Sequence, residues 1–303
     1  MSPQLKNNVA DVSVLIPAYR SSETIIRALE SVARQTVLPC EVIVVVDGSE
    51  DDTYSTAAAY KDKISGVTLN VFYQDHHGAG AARNRALAES SATYVAFLDA
   101  DDEWLPEKLE HTLFHLNDGK YSLVSHNVRV KSGSDEHVVD CVRHFNPSAA
   151  DHFVSIYRRG YISTSTVVAK RSSIIKAGGF DDSLPTAQDF DLWLSILKEP
   201  GAQLHIFDEP LTRNYITEGS ITSNTTRRLN CCLWIALRYV PELEKRAGST
   251  YLSLWFRIIA IHLEALTAYS NRRQYMKALM ILFRLPVSIM TLSFKAFFGL
   301  KKI

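Results

Sequence analysis

The stretch that decides the fold is Tyr94-Val-Ala-Phe-Leu-Asp-Ala-Asp-Asp102, an apolar run that ends in three carboxylates. The run predicts a buried β-strand, and the acidic side chains follow it directly. Carboxylates this close repel each other unless a cation or hydrogen bonds compensate them. Hard oxygen ligands at a strand end suit Mg²⁺ or Mn²⁺ held jointly with a diphosphate. The alternative is a solvated acidic turn that caps the helix predicted at residues 105–116.

Residues upstream of this stretch alternate between strand and helix. Strands are predicted at residues 12–16, 41–46 and 67–73, and a helical segment follows each of them. Residues 41–46 form an almost continuous β-branched run, the pattern of a parallel strand that is buried on both faces. This alternation predicts an α/β fold in which right-handed crossovers join the strands of a parallel sheet. Further strands are expected near residues 121–130 and 163–169.

Residues with functional potential stand at the carboxyl ends of the predicted strands: Pro17, Asp47 and Asp99 follow the first, second and fourth. Ligands of such sheets bind beyond these ends, so we expect the site there. The Asp47 carboxylate would accept a hydrogen bond from a nucleobase or a ribose, although alone it fits a helix cap equally well. Arg83 begins the third helix, where a helix N-terminus and a guanidinium both favour phosphate. Taken alone, Arg83 also fits an ordinary surface arginine.

A second group of carboxylates lies far along the chain. Asp189 and Asp191 flank Phe190 at the start of a helix predicted around residues 189–197. We expect part of this first turn to pack inward while a carboxylate faces the cleft. The alternative is that both carboxylates only interact with the helix dipole.

Composition narrows the classes of function. The 303 residues suffice for one large α/β domain and a smaller appendage. Lys plus Arg and Asp plus Glu both number 33, so the net charge is zero and gives no support for a nucleic-acid partner. The four cysteines show no CxxC pair, so reduced thiols are expected. The first residues lack the layout of a signal peptide, which predicts a cytoplasmic location or the cytoplasmic face of the membrane.

Five ordered segments of the sequence resemble glycosyltransferase family 2, with its GT-A fold. Their motifs read IPAY (16–19), VDGSED (46–51), GAGAARN (78–84), LDADD (98–102), and GGFD with QDFDLW (178–181 and 188–193). The resemblance covers about residues 12–222, and the order of the motifs makes it specific. It implies a Rossmann-like GT-A fold with a mixed, mostly parallel sheet, followed by an α-helical C-terminal region.

The resemblance implies an inverting transferase that moves a sugar from a nucleotide-diphosphate sugar, a UDP-sugar being favoured, to a hydroxyl of a saccharide or lipid-linked saccharide. Asp101, together with Asp99, would bind Mn²⁺ or Mg²⁺, which neutralises the charge on the departing diphosphate. Asp189 would be the general base that deprotonates the acceptor hydroxyl. The residues expected to bind the nucleotide-sugar are Pro17, Ala18, Tyr19, Asp47, Arg83 and Asp99. The product would belong to a cell-surface polysaccharide or glycolipid.

Four positions depart from the pattern of the family. Val46 replaces the first Asp of a usual pair, Gln188 replaces a usual Glu, and Arg20 stands where Asn is common. Residues with direct roles are retained at each of these motifs. Thr217 occupies a place where many relatives carry a His near the metal, which predicts a change in metal affinity or in the ordering of the loop over the donor.

The C-terminal region differs in amino-acid composition from the rest of the chain. We therefore place a domain boundary between residues 226 and 227. Residues 227–303 combine long apolar segments with basic residues. Arg284, Pro286 and Lys295 interrupt the last apolar run, which favours a helix lying in the interface of an anionic leaflet over one that spans it. The alternative is a helical bundle packed on the catalytic domain or on a second subunit of an oligomer.

Two rival functions stay open at this point. A catalytically inactive relative would bind nucleotide-sugar without transferring it; Asp101 and Asp189 argue against this reading and Thr217 keeps it open. A sugar nucleotidyltransferase shares the sheet and the metal chemistry, but its glycine-rich N-terminal motif that ends in a basic residue is absent from residues 16–20.

Overall fold

The computed structural model describes residues 9–117, 119–149, 151–216 and 224–300. Strands in these ranges are β1 (Val9–Ala18), β2 (Leu38–Asp47), β3 (Thr68–Gln74), β4 (Tyr94–Phe97), β5 (Glu103–Trp104), β6 (Leu123–Ser132), β7 (Asp135–Val139), β8 (Val168–Lys170) and β9 (Leu204–Tyr215). Helices in the same ranges are α1 (Ile25–Ala33), α2 (Thr53–Ala58), α3 (Ala79–Glu89), α4 (Lys108–Leu116), α5 (Phe153–Arg159), α6 (Arg171–Ala177), α7 (Gln188–Leu197), α8 (Thr225–Arg238), α9 (Val240–Glu244), α10 (Thr250–Asn271) and α11 (Tyr275–Phe297).

The strands form one mixed sheet in the order β3-β2-β1-β4-β8-β6-β9-β5, with β7 paired to β6. The strands β3, β2, β1 and β4 are parallel. Beyond them β8 runs antiparallel to both β4 and β6, and β6 and β9 pair in parallel. The predicted α/β class with a mixed, mostly parallel sheet is confirmed.

The parallel half of the sheet is covered on both faces. Successive residues of β2 point to opposite sides, so Ile43 and Val45 join one apolar core while Val42, Val44 and Val46 join the other. The first core includes side chains of α3 and α7, and the second includes side chains of α1, α2 and α4. This burial explains the continuous β-branched run of the strand.

Pro17 does not follow the end of the first strand, which the sequence predicts at residues 12–16. The strand β1 continues to Ala18, and Pro17 lies opposite Val45 of β2. Pairing with β4 stops at Leu15, so β1 has a neighbour on only one side at Pro17. A proline is tolerated where no ladder partner needs its donor.

Three strands, β5, β7 and β9, were not predicted. Residues 103–104, just before the predicted helix at 105–116, form β5 because they pair with β9. The strand β9 was missed altogether, since Pro210 interrupts a segment with weak alternation. The expected strand at 163–169 is mostly the 3₁₀ turn Thr164–Thr166, and only Val168–Lys170 extends as a strand.

The C-terminal helices pack against the α/β region. The core that contains Phe153 and Trp193 also contains Leu229 of α8 and Leu254 of α10. The hydroxyl of Tyr157 donates to the carbonyl of Ala236 at 2.8 Å. The boundary between residues 226 and 227 stays a prediction, and the apolar core is continuous across it.

The outer faces of α10 and α11 are apolar and exposed. Phe283, Met290 and Phe297 of α11 are 72%, 74% and 74% exposed. Both helices are long and apolar enough to cross a membrane by length and composition alone, with mean hydropathy 1.2 for α10 and 1.5 for α11. A hydrogen bond of 2.9 Å from the Trp255 indole of α10 to Ser293 of α11 connects the two helices.

Candidate functional site

The acidic residues after β4 lie at the carboxyl edge of the sheet, as the sequence predicts. Asp99 and Asp101 are half-buried. The Asp99 carboxylate forms an ion pair with Arg83 of α3. Arg27 of α1 donates a hydrogen bond to the backbone carbonyl of Asp101. The edge is therefore an ordered group of carboxylates, held from two helices, and not a freely solvated turn.

Arg83 is not a surface arginine, the alternative that fitted the sequence taken alone. Its side chain is buried, and its guanidinium lies 5.4 Å from the centre of the Phe180 ring. Its Nε has no partner in the described residues. The arginine therefore sits under the carboxylate edge with donor capacity left over, which suits an anion that approaches Asp99.

Asp47 organises the loop between β3 and α3. One carboxylate oxygen accepts hydrogen bonds from the Gln74 amide and the backbone N–H of His77, at 2.8 and 2.9 Å. The other accepts from the N–H of Gly78 at 2.7 Å. Next to Asp47, Gly48 has φ +69°, and a Cβ there would lie 2.6 Å from the Cβ of His76. The VDGS turn thus needs its glycine, and the buried Asp47 carboxylate shapes the site through the donors that it binds.

The end of β1 brings the other predicted donor residues to the same edge. Pro17 and Ala18 are buried, and Tyr19 is exposed. The Tyr19 ring lies 4.5 Å from the His76 ring. Tyr19 and His76 therefore form an exposed aromatic pair beside Asp47, a surface on which a planar base can stack.

Asp102 lies beneath the edge and is fully enclosed by protein. It accepts hydrogen bonds from the Ser165 hydroxyl at 2.5 Å and the Tyr215 N–H at 3.3 Å. Burial and the charges of Asp99 and Asp101 raise the pKa of the Asp102 carboxyl well above its usual range. This third carboxylate is a support for the edge and not an exposed ligand.

Further polar groups are buried below Asp102. Lys108 is fully buried, its Nζ lies 4.0 Å from the centre of the Trp104 ring, and it has no hydrogen-bond partner in the described residues. Burial lowers the pKa of Lys108. Burial and the nearby Lys108 charge lower the pKa of His126 to about 3. The floor of the site therefore holds ionisable groups in a medium that favours their neutral forms.

Asp189 begins α7 and is half-buried. Its Oδ1 accepts the N–H of Phe190 at 2.8 Å, and its Oδ2 accepts the Thr164 hydroxyl at 2.8 Å. Thr164 and Ser165 are adjacent in the chain, so Asp189 and Asp102 bind neighbouring residues of one turn. The predicted base and the acidic edge are therefore parts of a single site.

Asp191, two residues later, has a different role. Its carboxylate is buried and accepts a charged hydrogen bond of 2.8 Å from Arg238 of α8. The same arginine pairs with Asp181 of the GGFD segment. Burial raises the pKa of Asp191, and the ion pair with Arg238 offsets part of that rise. Asp191 therefore does more than interact with the helix dipole. Its ion pair with Arg238 connects α7 to the C-terminal helices.

A second arginine of the C-terminal helices reaches the same turn. Arg257 of α10 is fully buried, and its guanidinium lies 4.2 Å from the centre of the Phe190 ring. Its Nε and Nη1 have no partner in the described residues. A Cβ on Gly160, which has φ +59°, would lie within 3.2 Å of both Arg257 and Phe190. These three residues join α5, α7 and α10 behind Asp189.

Sequence reasoning missed the residues that connect the parts of the site. These are Asp102 as a support, the hydroxyls of Thr164 and Ser165, and the arginines Arg238 and Arg257. The run Ser163-Thr-Ser-Thr166 was the available signal, because consecutive hydroxyls inside an apolar strand are unusual. Thr217, the predicted departure near the metal, lies outside the described residues.

The carboxylates are compatible with a divalent cation but do not form a complete cage. No group of three His, Cys, Asp or Glu side chains within the described ranges is placed to hold a metal ion. Mg²⁺ and Mn²⁺ commonly use one or two carboxylates and take their other oxygens from substrate phosphates and water. Asp99 and Asp101 fit that partial donor set.

Comparisons with known proteins identify the family of the chain. The family model described as glycosyl transferase family 2 matches residues 13–173. The amylovoran biosynthesis glycosyltransferase AmsB of Erwinia amylovora is 29% identical over 88% of this chain and 95% of its own length. A β-1,3-glucosyltransferase of Escherichia coli, WfgD, whose name gives UDP-Glc as donor and α-D-GlcNAc-diphosphoundecaprenol as acceptor, is 27% identical over 72% of this chain and 82% of its own. The chain spans only 44% of the length of two related Rickettsia glycosyltransferases, each 30% identical.

Solved structures show the same fold. Staphylococcus aureus TarS 1–349 in complex with UDP-GlcNAc matches with a TM-score of 0.66 at 19% identity, over 93% of this chain and 83% of that one. The mannosyltransferase PcManGT of Pyrobaculum calidifontis, in complex with GDP-Man and Mn²⁺, matches with a TM-score of 0.61 at 16% identity, over 95% and 87%. The expected GT-A fold is confirmed.

Proposed function

Because the chain belongs to glycosyltransferase family 2, we propose that it transfers a sugar from a nucleotide-diphosphate sugar to an acceptor hydroxyl with inversion at the anomeric carbon. One observation carries the proposal: the turn Thr164–Thr166 contacts the acidic strand end through Ser165 and Asp189 through Thr164. Inverting transfer needs a group that supports the leaving diphosphate and a base on the other side of the sugar. This edge offers both.

The donor is a nucleotide-diphosphate sugar, and a UDP-sugar is favoured. The support is the exposed Tyr19 ring for a base, the Asp47 loop for the ribose, and Arg83 beside Asp99 for the diphosphate. TarS, which shares the fold, binds UDP-GlcNAc. Pro17 and Ala18 form the buried wall behind Tyr19.

A cation, Mn²⁺ or Mg²⁺, would be held by Asp101 and Asp99, with diphosphate oxygens completing its shell. Bound there, it supplies neutralisation of the charge that develops on the leaving diphosphate. PcManGT, of similar fold, carries Mn²⁺. Arg83 adds a fixed positive charge from below the same edge.

Asp189 is the general base of the proposal. It is half-buried at the start of α7, and each of its oxygens accepts one hydrogen bond. A carboxylate oxygen has two lone pairs, so an acceptor hydroxyl can still bind. The carboxylate takes the proton of that hydroxyl as its oxygen attacks the anomeric carbon and the diphosphate departs. A single displacement of this kind inverts the anomeric centre.

The acceptor is a saccharide or a lipid-linked saccharide, used in polysaccharide or glycolipid synthesis at the cytoplasmic face of the membrane. AmsB and WfgD are named for such products and acceptors. The exposed apolar face of α10 and α11 supports this location. Between residues 245 and 300 Glu264 is the one acidic residue in the sequence, whereas Arg272, Arg273, Lys277, Arg284 and Lys295 are basic. Such a helix pair suits the interface of an anionic leaflet.

A panel of nucleotide-sugars with Mn²⁺ tests the proposal directly. We expect one member to raise the melting temperature, since a ligand that binds only the folded state stabilises it. The same member should release its nucleotide slowly with water as acceptor. Asp101→Ala is the control that should lose both responses. If no nucleotide-sugar stabilises the wild-type protein and none is hydrolysed, the proposal is wrong.

A further inference from the structure

The turn Thr164–Thr166, which we call the hydroxyl turn, touches both halves of the proposed site. The Thr164 hydroxyl donates to Oδ2 of Asp189 at 2.8 Å. The next hydroxyl, of Ser165, donates to Asp102 at 2.5 Å and accepts the backbone N–H of Asp99 at 3.1 Å. Two adjacent side chains thus bind the predicted base and the acidic strand end.

The hydroxyl turn is itself held in place from other elements. The carbonyl of Ser165 accepts the Trp104 indole N–H at 2.7 Å and the Thr212 hydroxyl at 3.2 Å. The preceding Ser163 accepts the Asn214 amide at 2.8 Å. All three residues of the turn are buried. Since β5 and β9 supply these contacts, the turn has little freedom to move relative to the sheet.

Asp189, by contrast, has few fixed contacts of its own. Ala187 before α7 lies in the left-handed region with φ 61°, so the chain enters the helix through a sharp turn. One carboxylate oxygen binds the N–H of the next residue in the same helix. Among the described residues, the hydrogen bond from Thr164 reaches the Asp189 carboxylate from outside that helix, and it sets how the plane of the carboxylate is turned. The orientation of the remaining lone pairs follows from it.

We propose that Thr164 is a positioning residue for Asp189 and Ser165 a positioning residue for the acidic strand end. The hydroxyls of Thr164 and Ser165 then fix the separation between base and leaving group, which transfer reactions require to within fractions of an ångström. The inference rests on the proposed function, because it assigns Asp189 as the base. It predicts that two adjacent hydroxyls control two different steps.

The matched experiment compares Thr164→Val with Thr166→Val, two identical changes in one buried turn. Thr166 donates to the Ser163 carbonyl and contacts Ser125, and neither of these is Asp102, Asp99 or Asp189. The probe is the nucleotide-sugar that the panel selects, turned over with water as acceptor. Thr164→Val should lower kcat about 10-fold, the worth of one hydrogen bond to a charged group, with KM for the donor unchanged. Thr166→Val should lower the melting temperature comparably but keep kcat.

Two further variants separate position from packing. Thr164→Ser keeps the hydroxyl and should restore kcat to within about 3-fold of wild type. Ser165→Ala should weaken Mn²⁺-dependent binding of UDP, measured by calorimetry, about 10-fold, because Asp99 and Asp102 lose their shared partner. Thr164→Val should leave that affinity unchanged.

The outcomes that overturn the inference are distinct from those that overturn the function. Equal kcat for Thr164→Val and Thr166→Val, beside an inactive Asp189→Asn, removes the positioning role and leaves the base assigned. A Thr164→Ser variant as slow as Thr164→Val also removes it, since the methyl group would then be the essential part. Full turnover by Asp189→Asn overturns the proposed function itself.

Discussion

The acidic strand end and the helix pair α10–α11 differ in which kinds of side chain they bury and which they expose. At the strand end, charged and polar side chains are buried or half-buried and bonded to one another, as in Asp102 with Ser165 and Asp99 with Arg83. On the helix pair, large apolar side chains such as Phe283 and Met290 lie exposed. Each arrangement costs free energy in a soluble protein unless a ligand or a surface compensates it. The difference is the physical basis of the two binding functions that we propose, one for a charged donor and one for an apolar surface.

The strongest test of this separation is Asp101→Ala. Loss of the carboxylate removes a ligand of the proposed cation, whose charge stabilisation is worth several kcal/mol, so turnover should fall about 10³-fold or more. EDTA should have the same effect on the wild-type protein. Binding to anionic vesicles, measured by co-sedimentation, should not change. Full turnover in EDTA would contradict the metal assignment.

Asp189→Asn tests the base at nearly the same scale. The substitution keeps the size and most of the hydrogen bonding of the side chain but removes the proton acceptor, so transfer should fall about 10²–10⁴-fold. The dissociation constant for UDP-sugar should stay within about 2-fold of wild type, since donor contacts lie elsewhere.

Asp191→Asn is the matched control on the same helix turn. Loss of its charge leaves Arg238 with a weaker partner, so unfolding free energy should fall by about 1–3 kcal/mol while the rate of transfer at a temperature where the variant is folded stays near wild type. The assignment fails if Asp191→Asn is the inactive enzyme and Asp189→Asn the active one.

The helix pair is tested by removing exposed apolar surface without touching the cleft. Phe283 and Met290 together, changed to Ser, should weaken binding to vesicles of phosphatidylcholine and phosphatidylglycerol by about 10²-fold, from the transfer free energy of the lost side chains. Turnover of soluble substrates should not change. Phe114→Ser, which alters a residue 76% exposed on α4, is the control and should bind vesicles normally.

If the wild-type protein does not bind such vesicles at low salt, the apolar face of α10 and α11 packs against protein instead. Concentration-dependent self-association, measured by analytical ultracentrifugation and abolished by the same two substitutions, would then identify a second copy as its partner.

The smallest expected effect concerns the buried floor of the strand end. Burial and Lys108 hold the pKa of His126 at about 3, against about 6.5 in the unfolded chain. As the pH falls, the unfolded state therefore binds this proton before the folded state does. The contribution of His126 to the free energy of unfolding is fully present above pH 6.5 and declines as the pH falls toward 3. From pH 7.5 to 5.5 this single group should cost about 1.4 kcal/mol. In urea unfolding, the His126→Gln variant should lack this change in unfolding free energy between pH 7.5 and 5.5. A pH dependence equal to that of the wild type would contradict the assignment.

The sequence alone predicts the features that depend on adjacent residues. Asp99 and Asp101 follow their strand directly, and the buried pattern of β2 is a property of one segment. Both were therefore predictable from local spacing. The α/β class followed from the order of such segments, and the GT-A fold from the resemblance of the motifs to glycosyltransferase family 2.

Contacts between distant segments could not be read in the same way. Thr164 and Asp189 are 25 positions apart, and Arg238 and Asp191 are 47 apart. Arg83 is buried because Phe180, almost a hundred residues later, covers it. The strand β9 was missed because its stability comes from pairing with β6 rather than from its own alternation. Tertiary pairing decides such elements over local propensity.

Arg257 has a consequence for the order in which the chain is made. Synthesis on the ribosome proceeds from the N-terminus, and domains generally fold as their residues emerge. The strands of the sheet are complete at residue 215, because β9 is the last of them, but the core that covers one face also includes side chains of α8 and α10. The turn that carries Asp189 gains its packing partner on Phe190 only when α10 has emerged. A nascent chain would thus complete the strands of the sheet before the turn that carries Asp189 is fully packed.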